Sequence, residues 1–198
     1  MMLSPKFRKL QECLAGLPGI GKKTAGRLAM HIITQDKAKS HDIAESIADA
    51  VDSICNCSVC NILSENDPCL VCTDTDRDNR LLCVVENTQD VHLFEEIHSF
   101  KGRYFVLGHL LSPMHGIGPD EIKFGLLSKF LEESPVEEMI LALSPSVEGE
   151  TTMSFIAEQL ETSSINLSRL STGLPFGSNL EYANSITIAN AFRNRTKV

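Results

Sequence analysis

The stretch "AGLPGIGKKTAG", residues 15–26, places four glycines and one proline beside two lysines. Pro18 has no amide donor and ends a helix that precedes it. Gly19 and Gly21 permit positive φ and leave no side chain between the backbone and an approaching ligand. The stretch therefore predicts a sharp turn between two helices, with the unpaired N–H groups of the second helix facing outward.

Free N–H groups at a helix start bind anions, and nearby basic side chains strengthen such a site. We therefore predict a helix-hairpin-helix element that contacts nucleic-acid phosphates and not base edges. Its binding should be largely independent of sequence and strongly dependent on salt. The predicted DNA-binding residues are Gly19, Gly21, Lys22, Lys23, Thr24 and Arg27. A plain glycine-rich helix corner is one alternative.

A nucleotide-binding P-loop is a second alternative for this stretch. Its pattern, G-x-x-x-x-G-K-[ST], matches residues 16–22, but Lys23 replaces the hydroxyl side chain that binds magnesium. A P-loop also follows a strand, whereas the residues before Gly16 have helical periodicity. Both observations disfavour nucleotide binding at this turn.

Helical periodicity extends on both sides of the stretch. Ser4 is typical of a helix cap, the second helix is predicted from about Lys22 to Thr34, and the third from a Ser40 cap. The residues expected to face inward are Ala25, Leu28, Ala29 and Ile32 in the second helix and Ile43, Ile47, Val51 and Ile54 in the third. Residues 1–54 are therefore predicted to form a small helical DNA-binding domain.

Charge is distributed unevenly along the chain. Residues 1–39 contain eight basic and two acidic residues, a net charge of +6, so the rest carries −14 because the total is −8. A basic head can bind phosphate while an acidic body repels it or binds a basic partner. No stretch approaches the roughly 18 apolar residues of a membrane helix, and the N-terminus lacks an apolar signal region. We expect a cytoplasmic protein without a membrane partner.

Four of the seven cysteines form two C-x2-C pairs. Each pair places two thiolates on one tight turn, and two such turns complete a tetrahedral zinc site without an open position. The predicted ligands of a structural Zn²⁺ are Cys57, Cys60, Cys69 and Cys72. Folding of residues 55–78 should then depend on metal. Unligated thiols are the alternative, and Cys55 can compete with Cys57 for the site.

From residue 79 onward, runs rich in Val, Ile and Leu alternate with helical stretches. This alternation predicts a parallel-rich α/β sheet. The predicted strands are residues 81–86, 103–108, 138–143 and 165–170, with helices near 89–98, 120–133 and 151–162. The α/β domain should span residues 79–172.

A C-terminal extension, residues 173–198, should follow. Its LEYA segment, residues 180–183, is expected to start a helix that packs on the sheet. Its tail from residue 192 is basic, and we expect either a disordered end or an arm that docks on a neighbour.

The order of the motifs resembles one family. The motifs are "LPGIGKKTA", the four cysteines, "LLCVVEN", "SPSVEGETT" and "TGLPFGSNLEYAN", and together they resemble the RecR family of bacterial recombination mediators over essentially the whole chain. The resemblance implies that the α/β unit is a Toprim domain, as in type IA topoisomerases and DnaG-type primases. The predicted fold is α/β with an N-terminal all-α domain, a small zinc element and a short C-terminal extension.

By the same resemblance, catalytic Toprim domains hold magnesium with a glutamate after the first strand and a later D-x-D-x-E-G-E segment. Here Glu86 stands at the first position, but Ser144 and Ser146 replace the two aspartates. Hydroxyls carry no charge and bind magnesium weakly, which argues against catalysis. The resemblance assigns the remaining carboxylates at the predicted strand ends to binding the partner RecO, and they are Glu86, Asp90, Glu148 and Glu150. The alternative is a vestigial site that is kept only for folding.

The resemblance implies a non-enzymatic recombination mediator in DNA repair. With RecO, and with RecF at gap junctions, such a protein helps RecA replace single-strand-binding protein on gapped DNA. Family members form rings, so we expect a homo-oligomer, a dimer or a tetramer, that presents several phosphate-binding turns to double-stranded or gapped DNA. Two alternatives stay open: a magnesium-dependent Toprim nuclease, and a protein-interaction adaptor whose basic head binds an acidic partner.

Overall fold

The computed structural model describes residues 4–98, 100–175, 177 and 179–195. The chain divides into two compact units, Met1–Ile54 and Cys55–Val198, each with its own internal contacts. Within the described residues, no helix combines the length and the apolar character that crossing a lipid bilayer requires.

The first unit consists of three helices, α1 (Pro5–Ala15), α2 (Lys22–Thr34) and α3 (Lys37–Ser53). Small side chains let α1 and α2 pack closely. Ala25 and Ala29 are fully buried, and a Cβ added to Gly26 would lie 3.0 Å from Gln11 Nε2. Gln11 also donates a hydrogen bond to the carbonyl oxygen of Lys22 at 3.2 Å. The start of α2 is therefore tied directly to α1.

The start of α3 differs from the prediction. Asp36, and not Ser40, is its N-cap, because Asp36 Oδ1 accepts a hydrogen bond from the Ala38 N–H at 3.0 Å. The Ser40 hydroxyl lies one turn inside the helix and donates to the carbonyl oxygens of Ile32 and Asp36. A serine can satisfy backbone acceptors inside a helix as well as cap its amides, so the pattern predicts the start one turn too late.

The apolar residues of α3 are exposed in the single chain, contrary to the prediction. The members of this α3 apolar stripe are Ile43, Ile47, Val51 and Ile54, with exposed fractions of 42, 62, 74 and 42%. Periodicity identifies the apolar face of a helix but not what covers it. In α2, Ala25 and Ala29 face inward as predicted, whereas Leu28 is exposed.

The second unit opens with a compact element around the cysteines. β1 (Cys55–Asn56) and β2 (Leu63–Ser64) pair in antiparallel fashion, and α4 (Leu70–Thr73) follows. The first C-x2-C turn connects β1 to β2, and the second leads into α4. The sequence pattern predicts none of these elements, because two to four residues carry no measurable periodicity.

A parallel sheet forms the centre of the second unit. Its strands are β3 (Asp78–Val85), β4 (Gly102–Val106), β5 (Glu138–Ala142) and β6 (Asn166–Arg169), in the order β4-β3-β5-β6. The crossover connections contain α5 (Thr88–Glu96), α6 (Phe124–Glu133) and α7 (Val147–Gln159). All three strand pairs are parallel, which confirms the predicted parallel-rich α/β fold.

Both faces of this sheet are covered. Four consecutive residues of β3, Leu82 to Val85, are buried, as expected for a strand with helices on both faces. Phe105 of β4 packs edge-on against Phe130 of α6, with ring centroids 6.1 Å apart. Parallel strands end at a common edge, so the residues that follow β3, β4 and β5 meet there, where ligands bind in open α/β sheets.

The C-terminal extension contains a 3-10 helix, Leu180–Tyr182, and α8 (Ser185–Arg193). Leu180 and Tyr182 are 60 and 84% exposed, so the prediction that the LEYA segment packs on the sheet is wrong. Asn184 caps α8 by accepting a hydrogen bond from the Thr187 N–H at 2.8 Å, which starts that helix after the segment. The predicted basic tail is described as far as Arg195, and residues 196–198 lie outside the described residues.

Candidate functional site

The turn between α1 and α2 presents a helix start that no side chain caps. Gly19 has a φ of +79°, which favours glycine, whereas Gly21 is the N-cap of α2 with an ordinary φ of −77°. A Cβ added to either glycine would meet no atom within 4 Å. The space beside both residues is therefore open, and the first N–H groups of α2 face it without a side-chain acceptor.

Basic side chains surround this helix start. Lys22, Lys23, Thr24 and Arg27 are all exposed. None of the ion pairs found among the described residues involves the two lysines or the arginine. Cationic side chains that have no carboxylate partner are available to attract an external anion. The six predicted DNA-binding residues thus form one continuous turn and helix start, an arrangement that can bind phosphate.

The four cysteines predicted as metal ligands lie together. Their sulfur atoms are all within 4.8 Å of one another, with 3.5 Å between the Sγ atoms of Cys60 and Cys69 and 3.9 Å between those of Cys57 and Cys72. Tetrahedral zinc with Zn–S bonds of about 2.3 Å separates its sulfur ligands by about 3.8 Å. The Cys69 N–H donates to Cys57 Sγ at 3.3 Å, as expected beside a thiolate ligand. These four residues can hold a metal ion.

Contacts within this group shift the pKa values of the Cys60 and Cys69 thiols in opposite directions. Hydrogen bonds to Cys69 and Cys72, and then burial, raise the pKa of Cys60. The hydrogen bond from Cys60 lowers the pKa of Cys69. Adjacent thiolates repel each other, so all four ionise together only when a cation neutralises them. A divalent metal that prefers sulfur ligands meets this requirement.

Glu86 and Glu148 lie at the carboxyl edge of the sheet. Both are half-buried, and they line a cavity of about 460 Å³ together with Ser144 and Ser146. Glu86 follows β3, and Glu148 is in the first turn of α7. Two carboxylates beside two neutral hydroxyls make this carboxylate cavity negative but a poor magnesium site.

Asp90 and Glu150 each accept hydrogen bonds from other groups of the second unit. Asp90 belongs to a capping box at the start of α5, in which Asp90 Oδ2 accepts from the Asn87 N–H at 3.1 Å. Both carboxylate oxygens of Glu150 accept hydrogen bonds from Arg169, at 2.9 and 3.0 Å. That pair lines a separate cavity of about 880 Å³ beside α8. Glu150 therefore lines a different cavity from Glu86 and Glu148, whereas the partner-binding role of the four carboxylates stays a prediction.

A glycine and a threonine hold the start of α7 in place. A Cβ added to Gly149 would lie 1.9 Å from the carbonyl oxygen of Ser144, so only glycine fits there. The hydroxyl of Thr152, which is fully buried, donates to the carbonyl oxygen of Glu148 at 2.7 Å and accepts from the Leu111 N–H at 2.8 Å. Thr152 therefore fixes Glu148 beside the loop that follows β4.

Residues without a role assigned from sequence also line these cavities. His109 and His115 border the carboxylate cavity, where His115 Nδ1 lies 2.7 Å from Ser112 Oγ. Arg169 and Arg193 border the larger cavity. Local spacing does not identify them, because they come from separate segments that the crossovers of the sheet bring together.

Three family models match the chain. "RecR, helix-hairpin-helix" matches residues 7–51, "Toprim domain" matches residues 80–171, and "RecR, C-terminal" matches residues 173–196. The matches follow the order of the helical unit, the parallel sheet and the C-terminal extension.

Relatives named "Recombination protein RecR" align with nearly the whole chain. The protein of Anaeromyxobacter sp. (strain Fw109-5) is 41% identical over 198 residues, all of both chains. That of Natranaerobius thermophilus is 40% identical over 192 residues, 97% of this chain and 96% of its own length. That of Francisella tularensis subsp. tularensis is 41% identical over 197 residues, 100% of this chain and 98% of its own. The chain therefore belongs to the RecR family of recombination proteins.

Proposed function

We propose that this chain is a recombination mediator in DNA repair that binds the DNA backbone through the turn between α1 and α2. The observation that carries the proposal is the start of α2 at Gly21, with three basic side chains around it that form no ion pair with any described residue. Membership of the RecR family supports the recombination role. The turn contacts phosphates, so the chain binds double-stranded and gapped DNA without sequence preference.

Charge reversal at the turn tests this proposal. We expect Lys23→Glu combined with Arg27→Glu to weaken DNA binding at least about tenfold, and to lower the salt dependence of log K by about two ion equivalents. The charge-matched control is Lys101→Glu with Lys129→Glu, two exposed residues of the second unit. Unchanged affinity of the turn variant at low salt would remove the turn from DNA binding and favour the adaptor alternative.

The carboxylate cavity is proposed to bind RecO, the partner that the family resemblance implies. Glu86 and Glu148 line it, and no Lys or Arg is among its described lining residues, so the cavity attracts a basic partner. Asp90 and Glu150 belong to the same proposal, although Glu150 is free for a partner only when its pair with Arg169 opens. With RecO, and with RecF at gap junctions, the chain would promote RecA loading onto gapped DNA.

A RecO titration tests the role of the carboxylates. We expect Glu86→Gln with Glu148→Gln to weaken RecO binding at least about tenfold, since charge pairs across an interface contribute about 1.5 kcal/mol or more. Glu132→Gln with Glu133→Gln, two exposed residues of α6, is the matched control. Equal RecO affinity of the two double variants would exclude the cavity as the binding surface.

The composition of the same cavity supports a non-enzymatic role. Ser144 and Ser146 stand where catalytic Toprim domains place magnesium-binding aspartates, and hydroxyls are weak magnesium ligands. We expect supercoiled DNA incubated with the protein and magnesium to stay intact on a denaturing gel. Cleavage that Glu86→Gln abolishes would instead identify a Toprim nuclease.

The metal at the four cysteines is proposed to be Zn²⁺ in a structural role, because four thiolates leave no open coordination position. A thiol-reactive dye distinguishes bound from free cysteines. The metal-loaded protein should expose only Cys13 and Cys55, and a chelator should add the four ligands. Cys83 should react only on unfolding, because burial raises its pKa to about 12. Reaction of the four ligands before chelation would contradict metal ligation.

A second copy of the chain is proposed to cover the α3 apolar stripe, as part of a dimer or a tetrameric ring. The stripe presents four exposed apolar side chains on one helix, more than scattered surface residues require. We expect Val51→Lys to reduce the mass of the particle in light scattering, whereas Glu45→Lys on the same helix should leave it unchanged. A Val51→Lys protein with the mass of the original assembly would exclude this face.

A further inference from the structure

The first C-x2-C turn is hydrogen-bonded to the end of β4. The Val106 N–H, at the last residue of that strand, donates to the carbonyl oxygen of Cys60 at 2.9 Å. The carbonyl oxygen of Val106 accepts a hydrogen bond from Asn61 Nδ2 at 2.7 Å. β4 is an edge strand, so at Val106 the turn occupies backbone groups that a further strand would otherwise take.

Asn61 is held by the same turn that carries the sulfur ligands. It is buried, with a φ of +62°, a conformation that asparagine adopts more readily than most residues. Its N–H donates to the carbonyl oxygen of Cys57 at 2.9 Å, and its own carbonyl oxygen accepts from Asn56 Nδ2 at 3.2 Å. The placement of the Asn61 amide therefore depends on the conformation of the Cys57–Cys60 turn.

The other end of this connection reaches the carboxylate cavity. Gly108, two residues beyond Val106, donates its N–H to the carbonyl oxygen of Glu86 at 2.8 Å. A second link runs from the Leu63 N–H in β2 to Thr88 Oγ1 at the start of α5, at 3.0 Å. The cysteine element is thus hydrogen-bonded to the end of β4 and to the start of α5. Its buried side chains also belong to the hydrophobic core of the sheet, and they are Cys57, Cys60, Ile62 and Cys69.

We propose that Asn61 is a positioning residue that couples metal binding at the four cysteines to the geometry of the carboxylate cavity. A bound metal would hold the Cys57–Cys60 turn in one conformation, the turn orients Asn61, and Asn61 fixes Val106 and the Gly108 contact to Glu86. Coupling between two sites is reciprocal, so an occupant of the cavity also strengthens metal binding. The inference rests on the metal-binding part of the proposed function and on neither DNA binding nor the identity of the partner.

One substitution isolates the Asn61 side chain. Asn61→Gly removes the amide that reaches Val106, while glycine keeps the positive φ without strain. Asn66→Gly is the matched control, because Asn66 is an exposed asparagine of the same cysteine element whose side chain makes none of the hydrogen bonds found among the described residues. If coupling is lost in Asn61→Gly and kept in the control, the hydrogen bond from Asn61 to Val106 of β4 carries the coupling.

Hydrogen exchange of the full chain measures the coupling directly. We expect chelation to speed exchange at least about tenfold in residues 84–90 and 105–110, with residues 138–142 and 166–169 on the far strands affected less. Metal-loaded Asn61→Gly should show the same regional change, and metal-loaded Asn66→Gly should not. Unchanged exchange at residues 84–90 and 105–110 in metal-loaded Asn61→Gly would overturn the inference, even if chelation unfolds the whole unit.

Metal affinity gives a second readout, because Asn61 directly follows the ligand Cys60 and is hydrogen-bonded to Cys57. Competition with a chelating dye should show Zn²⁺ affinity reduced about 10-fold to 100-fold by Asn61→Gly, the usual range for groups that support metal ligands. Equal affinity of Asn61→Gly and the original chain would overturn the coupling. Absence of bound metal in the original chain would instead reject the proposed metal site. Failure of the coupling and failure of the metal site therefore give different results.

Discussion

The two units of this chain are stabilised by different means. Among the described residues of the first unit, only Ala25 and Ala29 are buried, and the α3 apolar stripe faces solvent. The second unit buries consecutive strand residues on both faces of a parallel sheet and attaches a four-cysteine element to its edge. Since burial contributes about 25 cal/mol per Å² of apolar surface, two alanines supply little stability. The first unit thus has little buried core of its own, whereas the second contains an extensive one.

Cysteine substitutions should affect the stability of the two units most unequally. Structural zinc contributes on the order of 10 kcal/mol to the folding of small zinc domains. We therefore expect Cys60→Ser to abolish metal binding and to cause the largest fall in the melting temperature of the second unit. Cys13→Ser removes an exposed thiol of the first unit and should change the melting temperature little. Metal content and thermal unfolding of both variants check this. Equal melting temperatures would show that the second unit does not need the metal.

A core truncation should cost far more in the second unit than an apolar truncation in the first. Phe105 is fully buried, so Phe105→Ala should lower the free energy of unfolding by about 3–5 kcal/mol. Ile47 is 62% exposed, so Ile47→Ala should cost less than about 0.5 kcal/mol in dilute solution. Urea unfolding at several protein concentrations measures both. If the loss of unfolding free energy caused by Ile47→Ala rises with protein concentration, a second copy of the chain covers the α3 apolar stripe.

An overpacking substitution tests the small contact between α1 and α2. Ala29 is fully buried, and Ala29→Leu should destabilise the first unit by about 1–3 kcal/mol because the close approach leaves no room. Ala38→Leu, at an exposed position of α3, is the control and should be nearly neutral. Hydrogen exchange of α1 and α2 reports the difference. Similar protection in the two variants would mean that the alanine contact does not hold this unit together.

The smallest expected effect is at the surface of the second unit. Glu150→Gln should lower the free energy of unfolding by only about 0.2–1 kcal/mol, because its pair with Arg169 is half exposed. The effect should vanish at high salt, since exposed charges are screened. Glu161→Gln, an exposed glutamate outside the described ion pairs, is the control. If Glu150→Gln lowers the free energy of unfolding equally at low and high salt, Glu150 does more than form a surface ion pair with Arg169.

Patterns with a strong local cause were predictable from sequence. The alternation of apolar runs and helical stretches predicts the parallel sheet because its strands are buried on both faces. The glycines and Pro18 identify the turn before α2, and the doubled C-x2-C identifies four residues whose sulfur atoms the structure brings together. Each of these signals is contained in a few neighbouring residues.

Features that depend on distant partners were not predictable. Ser40 resembles a helix cap, but its hydroxyl donates hydrogen bonds to the carbonyl oxygens of Ile32 and Asp36. Glu150 resembles a free carboxylate until β6 places Arg169 beside it. The position of Asn61 against Val106 joins residues 45 apart, and no spacing rule connects them. Tertiary contacts decide these roles, and a single sequence does not record them.

The hydrogen bonds from the first cysteine turn to Val106 have a consequence for the behaviour of the protein in solution. They occupy backbone groups on the outer edge of β4, and an uncovered strand edge is a template for pairing with another chain. Protection against β-aggregation would then depend on the same cysteines that hold the metal. Oxidants or chelators that release the cysteine turn from Val106 would leave these backbone groups open to pairing with another chain.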